Sequence, residues 1–202
     1  AGMMECKKCL QEAEGDIEKA MEILKQKGLA QAEKKAGRTA AEGVVTSYIH
    51  GNGKIGVLVE VNCETDFVGK NEDFQAFAKD IAMHVAASNP EFVRREDIPE
   101  ERVQAEKDLI KAQSEETIAG KPEHVVDQIL EGKLNKNLSA ITLLDQPFVK
   151  DPDKTVGEYT TEVVAKLGEN IRVRRFARFE VGEGIEVEEK DFAEEVKEQL
   201  GE

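Results

Sequence analysis

Two hydrophobic rhythms divide this chain. Between 55 and 62, Ile55, Val57, Val59 and Val61 alternate with Gly56, Leu58, Glu60 and Asn62, a period of two that sets four branched side chains on one sheet face. A similar run at 43–50 precedes Gly51-Asn52-Gly53-Lys54, and Asn-Gly between β-rich runs predicts a hairpin. A third strand is predicted over 171–180. Elsewhere the spacing is three and four. Phe74, Phe77, Ile81 and Val85 form the stripe of a helix over 71–87. Pro99, followed by Glu100 and Glu101, opens a second helix with Val103, Ile110 and Thr117 on one side and Gly120 at its end. Pro122 restarts a shorter one carrying Val125, Val126, Ile129 and Leu130, closed by Gly132. The apolar run 138–144 fits either element. Thr155-Val156-Gly157-Glu158 has capping-box spacing, its helix carries Val156, Tyr159, Val163 and Leu167, and Gly168 stops it.

The first 35 residues read as a short helical module. Asp16 suits an N-cap, Ile17, Ala20, Met21 and Leu24 follow at helical spacing, and Gly28 is placed to close the helix in a left-handed conformation. Cys6, Leu10 and Ala13 mark a preceding stripe. Residues 33–39, with Lys34, Lys35, Gly37 and Arg38, read as a linker, and the division between module and core is set at 36–42. The order of elements predicts an α+β core over 43–180, an antiparallel three-stranded sheet packed with helices. Beyond it, 181–202 forms an acidic helical module in which Phe192, Val196 and Leu200 make a narrow apolar stripe.

Composition narrows the function classes. The 202 residues are 40% hydrophobic, enough for a real core. No apolar run approaches the roughly 20 residues that span a bilayer, and the N-terminus lacks a secretory layout, so a soluble, intracellular protein is expected. Cys6, Cys9 and Cys63 give no disulfide framework, and Cys6-Lys7-Lys8-Cys9, without a second pair or a nearby histidine, reads as two small helix-face residues rather than a zinc site. A net charge of −14 argues against nucleic acid as main partner. One basic cluster qualifies this: Arg172, Arg174 and Arg178 share a predicted strand face with Phe176, opposite Ile171, Val173 and Phe179. An RNA site is one reading, a solvated or protein-contacting face the commoner one. The last 22 residues hold nine acids and two lysines, a composition common on solvated helix faces.

Catalytic constellations are missing. No glycine-rich phosphate loop, nucleophile elbow, zinc-protease motif or calcium loop occurs. His50, His84 and His124 fall in different predicted elements. His84 lies at the rim of its helix's apolar stripe, where a lone histidine is more often packed than catalytic. What stands out is Asn62-Cys63-Glu64-Thr65-Asp66-Phe67-Val68, where the strand ends in a loop presenting an acid beside a phenyl ring. A loop phenylalanine folded back on the core is the commoner arrangement; the alternative is an exposed tool on a rigid support.

Residues 59–68, Val-Glu-Val-Asn-Cys-Glu-Thr-Asp-Phe-Val, closely resemble the signature of elongation factor Ts, the guanine-nucleotide exchange factor of elongation factor Tu. Other segments agree in order: Gly2-Met3-Met4-Glu5-Cys6-Lys7-Lys8 and Gly15-Asp16-Ile17-Glu18-Lys19-Ala20 with a ubiquitin-associated-like module, Arg38-Thr39-Ala40-Ala41-Glu42-Gly43 with the passage into the core, Gln146-Pro147-Phe148-Val149 with a core segment, and 179–186 with the approach to a C-terminal module. The resemblance implies a non-enzymatic protein without metal or cofactor of its own, acting in the cytoplasm, or in plastid stroma or mitochondrial matrix after processing. Thr65, Asp66, Phe67 and Val68 are then the turn that displaces the partner's magnesium, Phe67 inserting between helices and Asp66 lying near the ion. His84 is implied as a further partner contact, and Phe192, Val196 and Leu200 as a docking helix. The chain starts where the family has a further helix before it, so the helical module is expected to be truncated. The single core subdomain resembles a short form expected to pair as a homodimer.

Overall fold

The computed structural model describes residues 3–185. Its fold is α+β: β1 (Glu42–His50), β2 (Ile55–Cys63) and β5 (Arg172–Glu180) form an antiparallel sheet in the order β1-β2-β5. The β1–β2 turn is built where expected, with Gly51, Asn52 and Gly53 all at positive φ. Both segments follow from their alternation. Val57, Val59 and Val61 face inward and are essentially inaccessible, and the same layer includes Phe74, Phe77, Ile81 and Val85 of α4 (Glu72–Ser88). Val156, Val163 and Val164 of α7 (Val156–Leu167) complete it. Burial of each such side chain contributes about 1.5–3 kcal/mol. Phe148 stacks on Tyr159 at 4.6 Å between ring centroids, and Phe77 meets Tyr159 edge-on at 5.3 Å.

Helix α7 begins and ends as its sequence predicts. The Thr155 hydroxyl accepts from the Glu158 amide at 3.1 Å, the Glu158 carboxylate accepts from the Thr155 amide at 2.9 Å, and Gly168 closes the helix at φ 79°. Two other glycines do not act as stops. Helix α1 (Met3–Glu12) is followed by α2 (Ile17–Ala36), which passes through Gly28 and ends at Gly37, because its second half lies on α7: Gly28 sits over Ala165, Lys25 pairs with Glu158 at 2.9 Å, and Ala32 packs on the core. Residues 33–36, expected in or beside the linker, are thus helical. Helix α6 (Glu123–Ile141) likewise runs through Gly132, since Val126, Leu130, Leu134 and Leu138 keep one face covered; that packing outweighs the roughly 1 kcal/mol a mid-helix glycine costs. It pairs with α5 (Glu100–Ile118), whose enclosed side is Ile110 and Ser114, while Thr117 is exposed. The ambiguous run 138–144 is the end of α6 and a 3-10 turn, Leu143–Asp145. A two-stranded ribbon, β3 (Pro147–Phe148) and β4 (Asp151–Thr155), went unanticipated.

The arginine face is a correction. Glu60 pairs with Arg175 but Val61 with Val173, so Arg174 is an extra residue in β5. The bulge reverses the alternation. Val173, Phe176 and Arg178 therefore stand opposite Val61, Val59 and Val57 on the inner side, whereas Phe179 is exposed. Phe192, Val196 and Leu200 lie outside the described residues. Among the described residues no helix is long and apolar enough to cross a membrane.

Gly43 opens β1 at φ 139°, and a Cβ there would stand 2.1 Å from the Val61 carbonyl oxygen. Gly43→Ala is expected to lower unfolding stability by about 3 kcal/mol, combining a disfavoured dihedral with displacement of β2, as read by urea denaturation.

Candidate functional site

Strand β2 delivers the chain to the site. Cys63, fully enclosed, donates its thiol to the Thr65 carbonyl at 3.1 Å, and burial pushes the thiol up to about 11. Thr65 then caps a single helical turn, α3 (Asp66–Gly69), its hydroxyl accepting from the Val68 amide at 3.4 Å. Val68 is half-buried against the core and Gly69 is buried beside Cys63 and Gly43. The Gln75 side chain donates to the Gly69 carbonyl at 2.5 Å, and Asn71 caps α4 by accepting from the Asp73 amide at 2.8 Å. The loop expected from sequence is therefore a short helix fixed at both ends.

With Val68 and Gly69 turned inward, the preceding residues face solvent. Phe67 is 81% exposed, which excludes a ring folded back on the core. Asp66 bonds Lys70 at 2.7 Å across one helical turn, and this partner, foremost through the hydrogen bond, holds its carboxyl below the ordinary range. The turn thus offers an apolar ring beside a charge already matched by a neighbour.

A second carboxylate grips the turn from the far side. Glu169, just after α7, accepts from the backbone amides of Glu64 and Thr65, each at 3.0 Å, and from the Thr65 hydroxyl at 2.6 Å. The Glu64 carboxylate in turn accepts from the Asn170 amide at 2.6 Å. These partners are more than a hundred residues apart, and sequence reasoning missed them; a lone acid after a helix-terminal glycine carries no such signal.

The matching family model is described as elongation factor TS and covers residues 16–183. Elongation factor Ts of Acetivibrio thermocellus is 60% identical over 200 residues, 99% of this chain and 92% of the relative. The proteins of the same name from Carboxydothermus hydrogenoformans and Geobacter sulfurreducens are 59% and 58% identical over 196 residues, 97% of this chain in each case and 89% and 90% of the relatives. The chain belongs to the elongation factor Ts family. Its role is accordingly that of an elongation factor of protein synthesis.

Other residues singled out from sequence behave differently from the turn. Arg174 and Arg175 both bond Glu60, at 2.8 and 2.6 Å, and hold its carboxyl down to about 2. The Arg178 side chain is only 9% exposed and pairs with Glu180 at 2.7 Å. Together with the bulge, these contacts leave no shared basic face around Phe176. His84 is fully enclosed. Its Nδ1 accepts from the Val149 amide at 3.3 Å, so Nε2 carries the proton and donates to the Gln146 side-chain oxygen at 2.9 Å. The Gln146 amide nitrogen reaches the carbonyls of Ser88 and Ala140 at 3.3 and 2.6 Å. In this chain the imidazole joins α4 to the 146–149 segment and presents no surface of its own, which corrects the rim position read from its helix stripe.

Burial depresses the His84 imidazole below its ordinary value of 6.5, against the opposing hydrogen bond that it donates to Gln146. The unfolded chain therefore takes up a proton the folded one refuses, and stability present above about pH 6.5 is lost as pH falls through the folded-state value. Thermal unfolding followed from pH 7.5 to 5 is expected to show a falling midpoint, and His84→Gln a flatter profile over that window.

Proposed function

We propose that this chain promotes nucleotide exchange on elongation factor Tu by inserting Phe67 between helices of the nucleotide-binding domain, with Asp66 beside the magnesium-coordinating region. The observation that carries the reading is an 81% exposed phenyl ring on a helical turn whose backbone is held on both sides. Magnesium requires near-octahedral ligands at about 2.0–2.1 Å, so a small displacement of the surrounding groups weakens the bridge that retains the phosphates. No chemistry of the chain's own is involved. The factor binds the empty or distorted partner more tightly than the nucleotide-loaded one, and bound nucleotide weakens the factor by the same amount. His84 enters by holding the segment that carries Val149, which is 39% exposed. Thr65 and Val68 fix the turn. Phe192, Val196 and Leu200 supply a second docking surface in an acidic module, 181–202, after a helical module to 35, a linker over 36–42 and a core over 43–180. The bacterial relatives favour the cytoplasm as the place of action.

Phe67→Ala is expected to leave the fold intact and slow GDP release from elongation factor Tu by about tenfold or more, in line with the roughly 1.5–3 kcal/mol of burying a phenyl ring. Stopped-flow release of a labelled nucleotide reads this directly; a wild-type rate refutes the insertion.

The homodimer belongs to the same reading. On the sheet face away from the helices, Val45, Ile49, Leu58 and Phe179 are 68, 64, 49 and 69% exposed, an apolar patch suited to a second sheet stacked about 10 Å away. Light scattering is expected to give a dimeric mass for the free protein and a monomeric one for Phe179→Glu. A monomeric wild type forming one-to-one complexes overturns the pairing.

A further inference from the structure

We propose that Glu169 is the positioning residue of the Thr65–Val68 turn: its carboxylate fixes the direction of Phe67 and ties that direction to the end of α2. The inference rests on the exchange reading above and concerns what makes the ring usable. Phe67 is 81% exposed. Packing therefore contributes little to its aim, which is set by the backbone of 64–69.

On the core side, that backbone is seated by Val68, Gly69 and the Cys63 thiol. On the other side, Glu169 supplies the capture. One carboxylate oxygen accepts two consecutive amides, from Glu64 and Thr65, both at 3.0 Å, and the second accepts the Thr65 hydroxyl at 2.6 Å. Bonds to an ionised acceptor are roughly twice as strong as neutral ones. The hydroxyl bond also orients the cap. Because Thr65 gives its single proton to Glu169, its lone pairs are left for the Val68 amide at 3.4 Å. One side chain thus holds the two amides before α3 and sets the group that caps it.

The clamp extends to the helical module. Asn170, whose amide is bonded by Glu64 at 2.6 Å, sends its side-chain nitrogen to the carbonyls of Arg38 at 2.7 Å and Ala36 at 3.4 Å. Arg38 itself reaches Glu64 at 3.5 Å. Three chain segments, the end of α2, the β2–α3 turn and the α7–β5 connection, are therefore joined at the base of the exposed ring. The three bonds call for a side chain that accepts on both of its terminal atoms. Glutamine matches the shape of Glu169 but replaces one acceptor oxygen by a donor, and that donor then faces either the two amides or the hydroxyl. Alanine removes every contact.

The test compares the intact wild-type chain with Glu169→Gln, Glu169→Ala and Phe67→Ala, measuring release of labelled GDP from elongation factor Tu across a range of factor concentrations. A misaimed ring lowers the maximal release rate, with an expected drop of about tenfold for Glu169→Gln and at least that for Glu169→Ala, while the half-saturating concentration changes less than about threefold. A purely structural role predicts a lower thermal midpoint and a higher half-saturating concentration with the maximal rate retained, and that pattern overturns the proposal. The isosteric glutamine keeps the test decisive if the alanine variant unfolds. If Glu169→Gln releases nucleotide at the wild-type maximal rate while Phe67→Ala is slow, the positioning role is wrong and insertion stands. If Phe67→Ala is as fast as wild type, insertion itself is wrong, whatever Glu169 does.

Discussion

A side chain held out in water has a fixed direction only to the extent that the backbone beneath it cannot move. Phe67 meets that constraint through two unlike devices. Beneath it, Val68 and Gly69 close against the apolar layer between the sheet and α4, where a shift of the turn would open a void beside Cys63 and Gly43. Beside it, backbone amides bond a carboxylate from a distant segment. Packing resists motion toward or away from the core, and hydrogen bonds resist sliding across it.

The same layer explains why the turn stands at the end of β2. This is the central strand, paired with β1 on one edge and β5 on the other, so its inner residues Val57, Val59 and Val61 are the most constrained of the sheet. Any residue leaving its end inherits that constraint, whereas a turn leaving β1 or β5 would rest on an edge. Glu60 adds to it on the outer side by joining Arg174 and Arg175. These half-exposed pairs contribute modestly to stability, but they hold the bulge that lets Phe176 and Arg178 turn inward.

Features decided by neighbouring residues were legible in the sequence. The Asn52-Gly53 turn, the Thr155–Glu158 capping box and the helix stop at Gly168 each follow from a few adjacent side chains, and each is found as read. Features decided across the fold were not. Gly28 and Gly132 look like helix ends until α7 and α5 supply the surfaces that keep α2 and α6 going. The bulge at Arg174 needs a partner strand, and strict alternation therefore placed Phe179 and Arg178 on the wrong sides. His84 read as a rim position because the 146–149 segment that encloses it lies more than sixty residues away. The site divides in the same way. The unusual adjacency of Asp66 and Phe67 was visible, and the family resemblance supplied a role; what separated an exposed ring from one folded inward was Val68 and Gly69 taking the inward positions, which required the tertiary structure.

Magnitudes limit what the ring does alone on the proposed reading. Burying one phenyl side chain yields about 1.5–3 kcal/mol, a factor of roughly 10 to 150 in an equilibrium. By linkage, the loss of nucleotide affinity cannot exceed the gain in factor binding between the loaded and empty partner. A weakening of several orders of magnitude therefore needs contacts beyond Phe67, made by surfaces whose geometry also differs between the two states of the partner. Such surfaces must hold a fixed relation to the ring, or their binding energy would be realised without distorting the nucleotide site. On the proposed reading, a rigid core under β2 and α4, with the turn joined through Asn170 to the segments that follow α2 and α7, is what would carry force from a broad contact to one side chain.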